Sequence, residues 1–518
     1  MRKQLRLLAI IGAVVLLLGV LLGVLVLTQP EEAASSEEES VVSDTSVELL
    51  TVKREESSSE ESGEDEDAAS LIKEATVTYD GETYTMLQTA DGSLCVKGYE
   101  KLPVASAYFD SFESAVTKIV ATQEIVSTGV EADYGLDKPL ATATVTYYDG
   151  TKATLTLGAA APQDAGYYFR ISGKDGIYLV DSDLAGTLMQ PSLSYIGTTL
   201  ITAPVVKEDS KTEDTVVLRD VTMKGPGMDR EYSYRLVADD DSGEYVYSTY
   251  VLTYPYMRAT DSNNLGETIL SATSVYASMA VAPFPTAADL EKYGLTTPHI
   301  TATIHTAVQA VETIEASSED EEDTTVTSYY NVQEHVLRLS KVEGGFFYAL
   351  VDDIDCIYMI STSALEWATL TYEDCVTPLM FLKDITTVSE MTFTYNGKTT
   401  AFGMTHYPEE EDNEKNMAVT MDGKTIVTDH FRSFYQVLMG IERGGAAPAE
   451  PSGKAEIAFT YNDIGSGDVV TIELFKHSAS VYIGRFDGGD TFKVRASEID
   501  YLLRQYQNLL DGKEVLLG

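Results

Sequence analysis

The chain of 518 residues carries a formal charge of −46, from 82 acidic against 36 basic residues, and is 44% hydrophobic. That apolar content suffices for several cores, while the charge repels nucleic-acid phosphates and anionic lipid surfaces, so nucleic acid is excluded as an expected partner. Three cysteines without a CxxC pair and six scattered histidines offer no zinc spacing.

Leu7 to Leu27 is an unbroken apolar run behind Arg2, Lys3 and Arg6. At about 1.5 Å rise per residue, a helix of that length crosses a hydrocarbon core of about 30 Å. The preceding positive charge favours a cytoplasmic amino terminus. Residues 1–29 are therefore read as a cytoplasmic tip and a single-pass transmembrane helix, with the C-terminal region extracellular on a cell membrane. A cleaved signal peptide is the alternative, disfavoured by the length of the run. Residues 30–70 are dominated by Ser, Glu and Asp and lack aromatic residues. They are expected to form a disordered acidic linker, because so little apolar surface cannot offset the entropy of ordering.

The remainder reads as an α+β protein of repeated, mainly antiparallel β units, each with one or two packed helices. A first unit is expected over 71–200. Its opening strands turn at Asp80-Gly81, and a one-sided stripe of Phe112, Ala115, Val116 and Ile119 predicts a helix over 108–119. Next comes "YGLDKP" at 134–139, then "ATVTYYDG" at 143–150, whose alternation predicts a half-buried strand. In the turn, Gly135 is expected to adopt a conformation closed to its neighbours, Leu136 to point inward, and Tyr134 to pack on the preceding helix. A strand pair follows at "YYFRISGKDGIYLVDSDL", 167–184.

A second unit is expected over 214–378. It repeats the turn as "YGLTTP" at 293–298 and the strand pair at 345–365, where Ile357-Tyr358 answers Ile177-Tyr178. The segment 268–281 is the candidate for its helix. The two offsets differ, and the acidic stretch 311–328 accounts for the surplus as a solvated loop insertion. A degraded third unit is expected over 379–518. There Phe434, Val437, Leu438 and Ile441 repeat the helical stripe over 430–441, and Asn396-Gly397 repeats the hairpin turn, but the Tyr-Gly-Leu turn is missing. Cys356 and Cys375 fall in one unit, and both a bridge and two buried thiols remain open.

The "YGLDKP" turn, the "ATVTYYDG" strand and the 167–184 strand pair resemble the domain of unknown function 4340 family. The resemblance implies a membrane-tethered bacterial envelope protein. It supplies no catalytic residue.

The chemistry-bearing motifs are few. Gly-Lys-Thr at 397–399 and 423–425 lacks the upstream glycine of a phosphate loop, and a hairpin turn is the better reading of both. His299 and His305 are evenly spaced along an expected strand, a weak metal candidate. The acidic loops 312–323 and 409–414 suggest at most weak, nonspecific divalent cation association. Of 32 tyrosines, many fall in strand alternation and are expected to face cores, though some could line a groove for glycan or peptide. No catalytic, cofactor-binding or metal residue is assigned, and no cofactor is expected. The leading expectation is a non-enzymatic cell-envelope interaction or scaffold module, with an envelope protein or cell-wall component as partner. The alternative is an extracellular enzyme or binding protein acting on cell-wall glycan or peptide.

Overall fold

The computed structural model describes residues 46–53, 69–126, 129–208, 214–238, 245, 248–266, 269–314, 324–352, 354–410, 415–464 and 467–517. The transmembrane helix expected over 1–29, and most of the linker over 30–70, lie outside the described residues. Among the described residues no helix is long and apolar enough to cross a membrane.

The first sheet is built from β2 (Ile72–Tyr79), β3 (Glu82–Gln88), β4 (Leu94–Val96), β6 (Gln123–Ile125), β7 (Ala141–Tyr147), β8 (Lys152–Ala160), β9 (Tyr167–Ile171) and β10 (Ile177–Val180), in the order β4-β3-β2-β7-β8-β9-β10-β6. Helix α1 (Ser106–Thr117) crosses between the two halves, and α2 (Ser182–Leu188) follows β10. Alternation decides the faces. Ala141, Ala143, Val145 and Tyr147 of β7 are buried while the threonines between them are not. Phe109, Phe112 and Val116 of α1 meet that apolar face, and the Tyr147 hydroxyl donates to the Val116 carbonyl at 2.7 Å. The observed helix starts two residues before the predicted one and ends at Thr117, so Phe112, Ala115 and Val116 lie on it while Ile119 falls in the strand that follows.

The second sheet contains β12 (Thr215–Lys224), β13 (Tyr232–Leu236), β14 (Tyr250–Tyr254), β15 (Arg258–Ala259), β17 (Met279–Pro283), β18 (Ile300–Ile314), β19 (Thr324–Leu339), β20 (Phe346–Val351) and β21 (Cys356–Ser361). Its order is β15-β14-β13-β12-β18-β19-β20-β21-β17. The third contains β22 (Val388–Tyr395), β23 (Lys398–His406), β24 (Met417–Met421), β25 (Lys424–Thr425), β26 (Arg443–Ala446), β27 (Ile457–Asp463), β28 (Val469–Lys476), β29 (Val481–Phe486) and β30 (Asp490–Arg495). Its order, β25-β24-β23-β22-β27-β28-β29-β30-β26, is the same topology again. In all three, an opening meander is followed by a crossover to the far edge and a return meander that pairs back beside the first strand.

A smaller feature also repeats. Each unit has a lead-in segment that pairs antiparallel with residues just before the far-edge strand. In the first unit β1 (Val47–Thr51) pairs with β5 (Lys118–Ala121), and in the second β11 (Thr199–Ile201) pairs with β16 (Val275–Tyr276). In the third, Leu379 bridges Glu442, and the Arg443 amide donates to the Pro378 carbonyl. Two expectations change as a result. Val47–Thr51 is ordered strand with Leu49 buried in the first core, inside the stretch read as linker. The expected boundary at residue 200 falls inside β11, whose Leu200 and Ile201 belong to the second core.

Three other differences have physical causes. The second unit's crossover is not one helix. It is α3 (Ser262–Leu265), a 3-10 turn at Ile269–Thr273 and then β16, because polar Ser271, Thr273 and Ser274 interrupt the apolar stripe of that segment. The acidic stretch 311–328 is not all loop. Val311–Ile314 and Thr324–Ser328 continue β18 and β19 as a two-stranded ribbon past the end of β12. Finally, the signature tyrosines pack on a strand rather than a helix. Tyr134 sits 4.9 Å from Tyr168 of β9 and Tyr293 4.7 Å from Tyr348 of β20, measured between ring centroids. Gly135 and Gly294 hold φ of +66° and +69°, and Leu136 and Leu295 are buried, as the turn requires. Helix α4 (Ala287–Lys292) precedes the second of these turns, α5 (Tyr372–Cys375) follows the second sheet, and α6 (Thr428–Met439) and α7 (Ala496–Leu510) pack on the third.

Candidate functional site

The first and third units each hold a cavity at the same topological place. It lies between the segment leading into the first sheet strand, the connection after the second strand, and the crossover helix. In the first unit it measures about 380 Å³ and is lined by Ser70, Asp91, Ser93, Asp110 and Glu113 among others. In the third it measures about 470 Å³ and is lined by Ile385, His406, Tyr407, Glu410, Met417 and Arg432 among others. Asp110 and Arg432 stand at equivalent positions, each four residues after its helix begins at Ser106 or Thr428.

Equivalent placement comes with opposite chemistry. The first cavity is acidic. Glu113 accepts hydrogen bonds from the Ser70 hydroxyl at 2.6 Å and the Leu71 amide at 2.7 Å, which fixes the chain entering β2. Asp91 is held below the usual carboxylate range by hydrogen bonds from the Thr89 hydroxyl and from the Ser93 hydroxyl and amide. In the third cavity the Arg432 guanidinium donates to the Asn416 side-chain oxygen at 2.5 Å and lies 3.7 Å from Asp429. His406 Nε2 is 2.8 Å from the Val388 carbonyl, which can only accept, so that nitrogen carries a proton. Ile385, Pro408 and Met417 supply apolar wall. A largely apolar hollow with a few convergent polar groups is the usual form of a small-ligand pocket.

A second concentration of chemistry lies where the units meet. After β4 the chain forms a loop whose Val104 bridges Ile196, while the Ala105 amide donates to the Tyr195 carbonyl and the Gly197 amide to the Pro103 carbonyl. After β15 the same three bonds recur. Thr260 bridges Val376, the Asp261 amide donates to Cys375, and the Thr377 amide donates to Ala259. This match makes Leu102 and Arg258 equivalent. Leu102 is buried in the core of the second unit, the one that follows it. Arg258 is likewise delivered into the third unit, where its Nη1 lies 3.3 Å from Asp490 of β30 and its guanidinium 4.0 Å from the Phe486 ring centroid.

Arg443 of β26 completes the cluster, 3.4 Å from Asp490 and 3.3 Å from Glu373 of α5. Two guanidinium groups thus face two carboxylates inside the protein. Burial pushes the Glu373 carboxyl above its ordinary range, against the opposing pull of Arg443. Burial, with Arg443 alongside, pulls Arg258 below its ordinary range, opposed by Asp490. Oδ1 of Asp490, Oε1 of Glu373, and Nε and Nη1 of Arg443 find no hydrogen-bond partner among the described residues. Such perturbation often marks an active site, but here every member belongs to the contact between two units, and a structural joint is the direct reading.

The sequence candidates are not gathered at either place. His305 lies between Asp220 on β12 and Glu334 on β19, at 2.6 and 3.1 Å, whereas His299 stands before β18 against the turn at Gly225–Gly227. The two histidines do not converge. Both Gly-Lys-Thr segments are hairpin turns, with positive φ at Asn396-Gly397 and Asp422-Gly423. Cys95, Cys356 and Cys375 are free and buried. Burial raises the Cys356 thiol to about 11 and the Cys375 thiol to about 12, so neither is a reactive thiolate. Among the described residues no group of three or more His, Cys, Asp or Glu could hold a metal ion.

Residues 96–215 fit the family model of a domain of unknown function, DUF4340. The DUF4340 segment starts at the last residue of β4 and ends at the first of β12. It therefore covers the loop after β4 that carries Leu102, helix α1, the return meander, and lead-in strand β11. It omits β2 and β3, which complete the first sheet. No curated protein and no solved structure matches the chain.

Neither the cavities nor the ionic joint was found from sequence. Arg258 pairs with a residue 232 positions away, a separation no local pattern encodes. One signal was present: a lone charged residue, Arg258, in the mainly apolar and aromatic segment 250–259.

Proposed function

We propose that the protein is a single-pass membrane protein of the cell envelope whose extracellular region is a non-enzymatic interaction or scaffold module. Support for the membrane placement is the Leu7–Leu27 run behind three basic residues. Support for a binding role is the pair of equivalently placed cavities, kept in two copies of one fold while their lining changed from acidic to mixed. Residues selected only for packing have no reason to leave the same hollow twice. The partner in this reading is an envelope protein or cell-wall component.

The test is cross-linking of the full-length chain in intact cells, with Asp110→Lys and Arg432→Glu variants in parallel. The reading expects a specific cross-linked partner, lost or weakened in at least one variant whose thermal stability is unchanged. Identical capture profiles for wild type and both variants would contradict it. So would location of the region after residue 46 in the cytoplasm, by protease protection.

A further inference from the structure

The third-unit cavity is lined by one guanidinium, one carboxylate and an apolar wall, a combination that the acidic first-unit cavity lacks. We propose that it binds a small zwitterion with an apolar side chain, an α-amino acid or a free dipeptide. This deepens the binding-module reading and rests on it.

Charge comes first. A chain at −46 repels anions at long range, and a simple carboxylate ligand would approach against that field. A zwitterion is neutral overall and escapes the penalty, yet keeps two charges for short-range recognition. Arg432 is the cation of the cavity, its guanidinium oriented by Asn416 at 2.5 Å and by Asp429 at 3.7 Å. An oriented planar fork suits a carboxylate. Glu410, on the connection between β23 and β24, supplies the anion for an ammonium group. Ile385 and Met417 offer the apolar surface for a side chain, with Tyr407 half-exposed beside them. The volume of about 470 Å³ holds a dipeptide with room for water. By contrast, the first-unit cavity presents Asp91, Asp110 and Glu113 with no cation in its lining, so it offers nothing for the carboxylate end.

The experiment is calorimetric titration of the full-length chain, purified in a nonionic detergent, with leucine, alanyl-leucine, N-acetylleucine and leucinamide. Leucine and alanyl-leucine should bind saturably. N-acetylleucine and leucinamide, each lacking one charge, should bind about ten-fold more weakly or worse, the expected loss of one charge-assisted hydrogen bond. Arg432→Gln should reduce leucine to the level of leucinamide, and Glu410→Gln should reduce it to the level of N-acetylleucine. The wild-type melting temperature in both variants would show that folding is intact, and both side chains lie at the surface of the cavity. Absence of saturable heat from all four compounds overturns the proposal, as do equal affinities for the four, or undiminished leucine binding by Arg432→Gln. A captured envelope partner together with any of these results would sink this inference while leaving the interaction-module reading in place.

Discussion

Arg258 and Leu102 hold one place in two joints, and the contrast shows what the surrounding residues must supply. Leucine needs only apolar neighbours. An arginine in the same position needs a counter-charge, which Asp490 provides with no exposure of its own. Removing one partner of such a buried set leaves a charge uncompensated. Asp490→Asn should cost about 3–5 kcal/mol by urea unfolding. The double variant Arg258→Leu/Asp490→Asn should cost clearly less than the sum of its single changes, since contacting partners couple. Additive losses would mean that the two groups do not share an interaction. His305 makes a milder case. Burial pulls its pKa down, but hydrogen bonds to Asp220 and Glu334 more than offset this, so the folded value lies above the ordinary one. The resulting stabilisation is complete below the ordinary histidine value and is lost as pH rises through the raised value. For a partly exposed group it amounts to about 0.5–1 kcal/mol. His305→Gln should flatten the stability profile across that window, and an unchanged slope would refute the assignment.

At the level of elements, the hairpins and crossover helices were the legible part. Asp-Gly and Asn-Gly pairs mark turns because both residues need positive φ, and Asp80-Gly81 and Asn396-Gly397 adopt it. The helical stripes at Phe112 and Phe434 were equally plain, since a 3.6-residue period is a local signal. Strand β1 was missed because an acidic segment masks it. Its five residues satisfy their backbone only by pairing with β5, far along the chain. The ribbon of β18 and β19 was missed because alternating threonine and valine beside glutamate reads as solvated loop. The two signature turns allow a graded test. Gly135 and Gly294 share a positive φ, so alanine strains both by about 1–2 kcal/mol. At Gly135 a Cβ would also stand 2.8 Å from the Ala159 amide nitrogen, whereas at Gly294 its nearest neighbour is 3.7 Å away. Gly135→Ala should therefore lower the melting temperature more than Gly294→Ala, and the reverse order would show that the turns are not packed as described.

Over the whole molecule, duplication was legible while assembly was not. The repeated turn and strand pairs revealed two copies, and the hairpin and helix suggested the third, whose sheet order is that of the second and, save for one further opening edge strand, that of the first. What the sequence could not show is that the end of the opening meander in each of the first two units, the loop after β4 and strand β15, feeds the next unit. Burial of Leu102 and Arg258 is a property of two units at once, and periodicity reports on one. The same joint used twice makes the array directional, with each unit bracing its successor. Hydrogen exchange tests that arrangement most directly. Leu102→Ala should speed exchange in the core strands of the second sheet, and Arg258→Ala should do so in β26 and β30 of the third. The unit carrying each substitution should stay protected. If each change instead loosens only its own unit, the head-to-tail bracing of three like units is wrong.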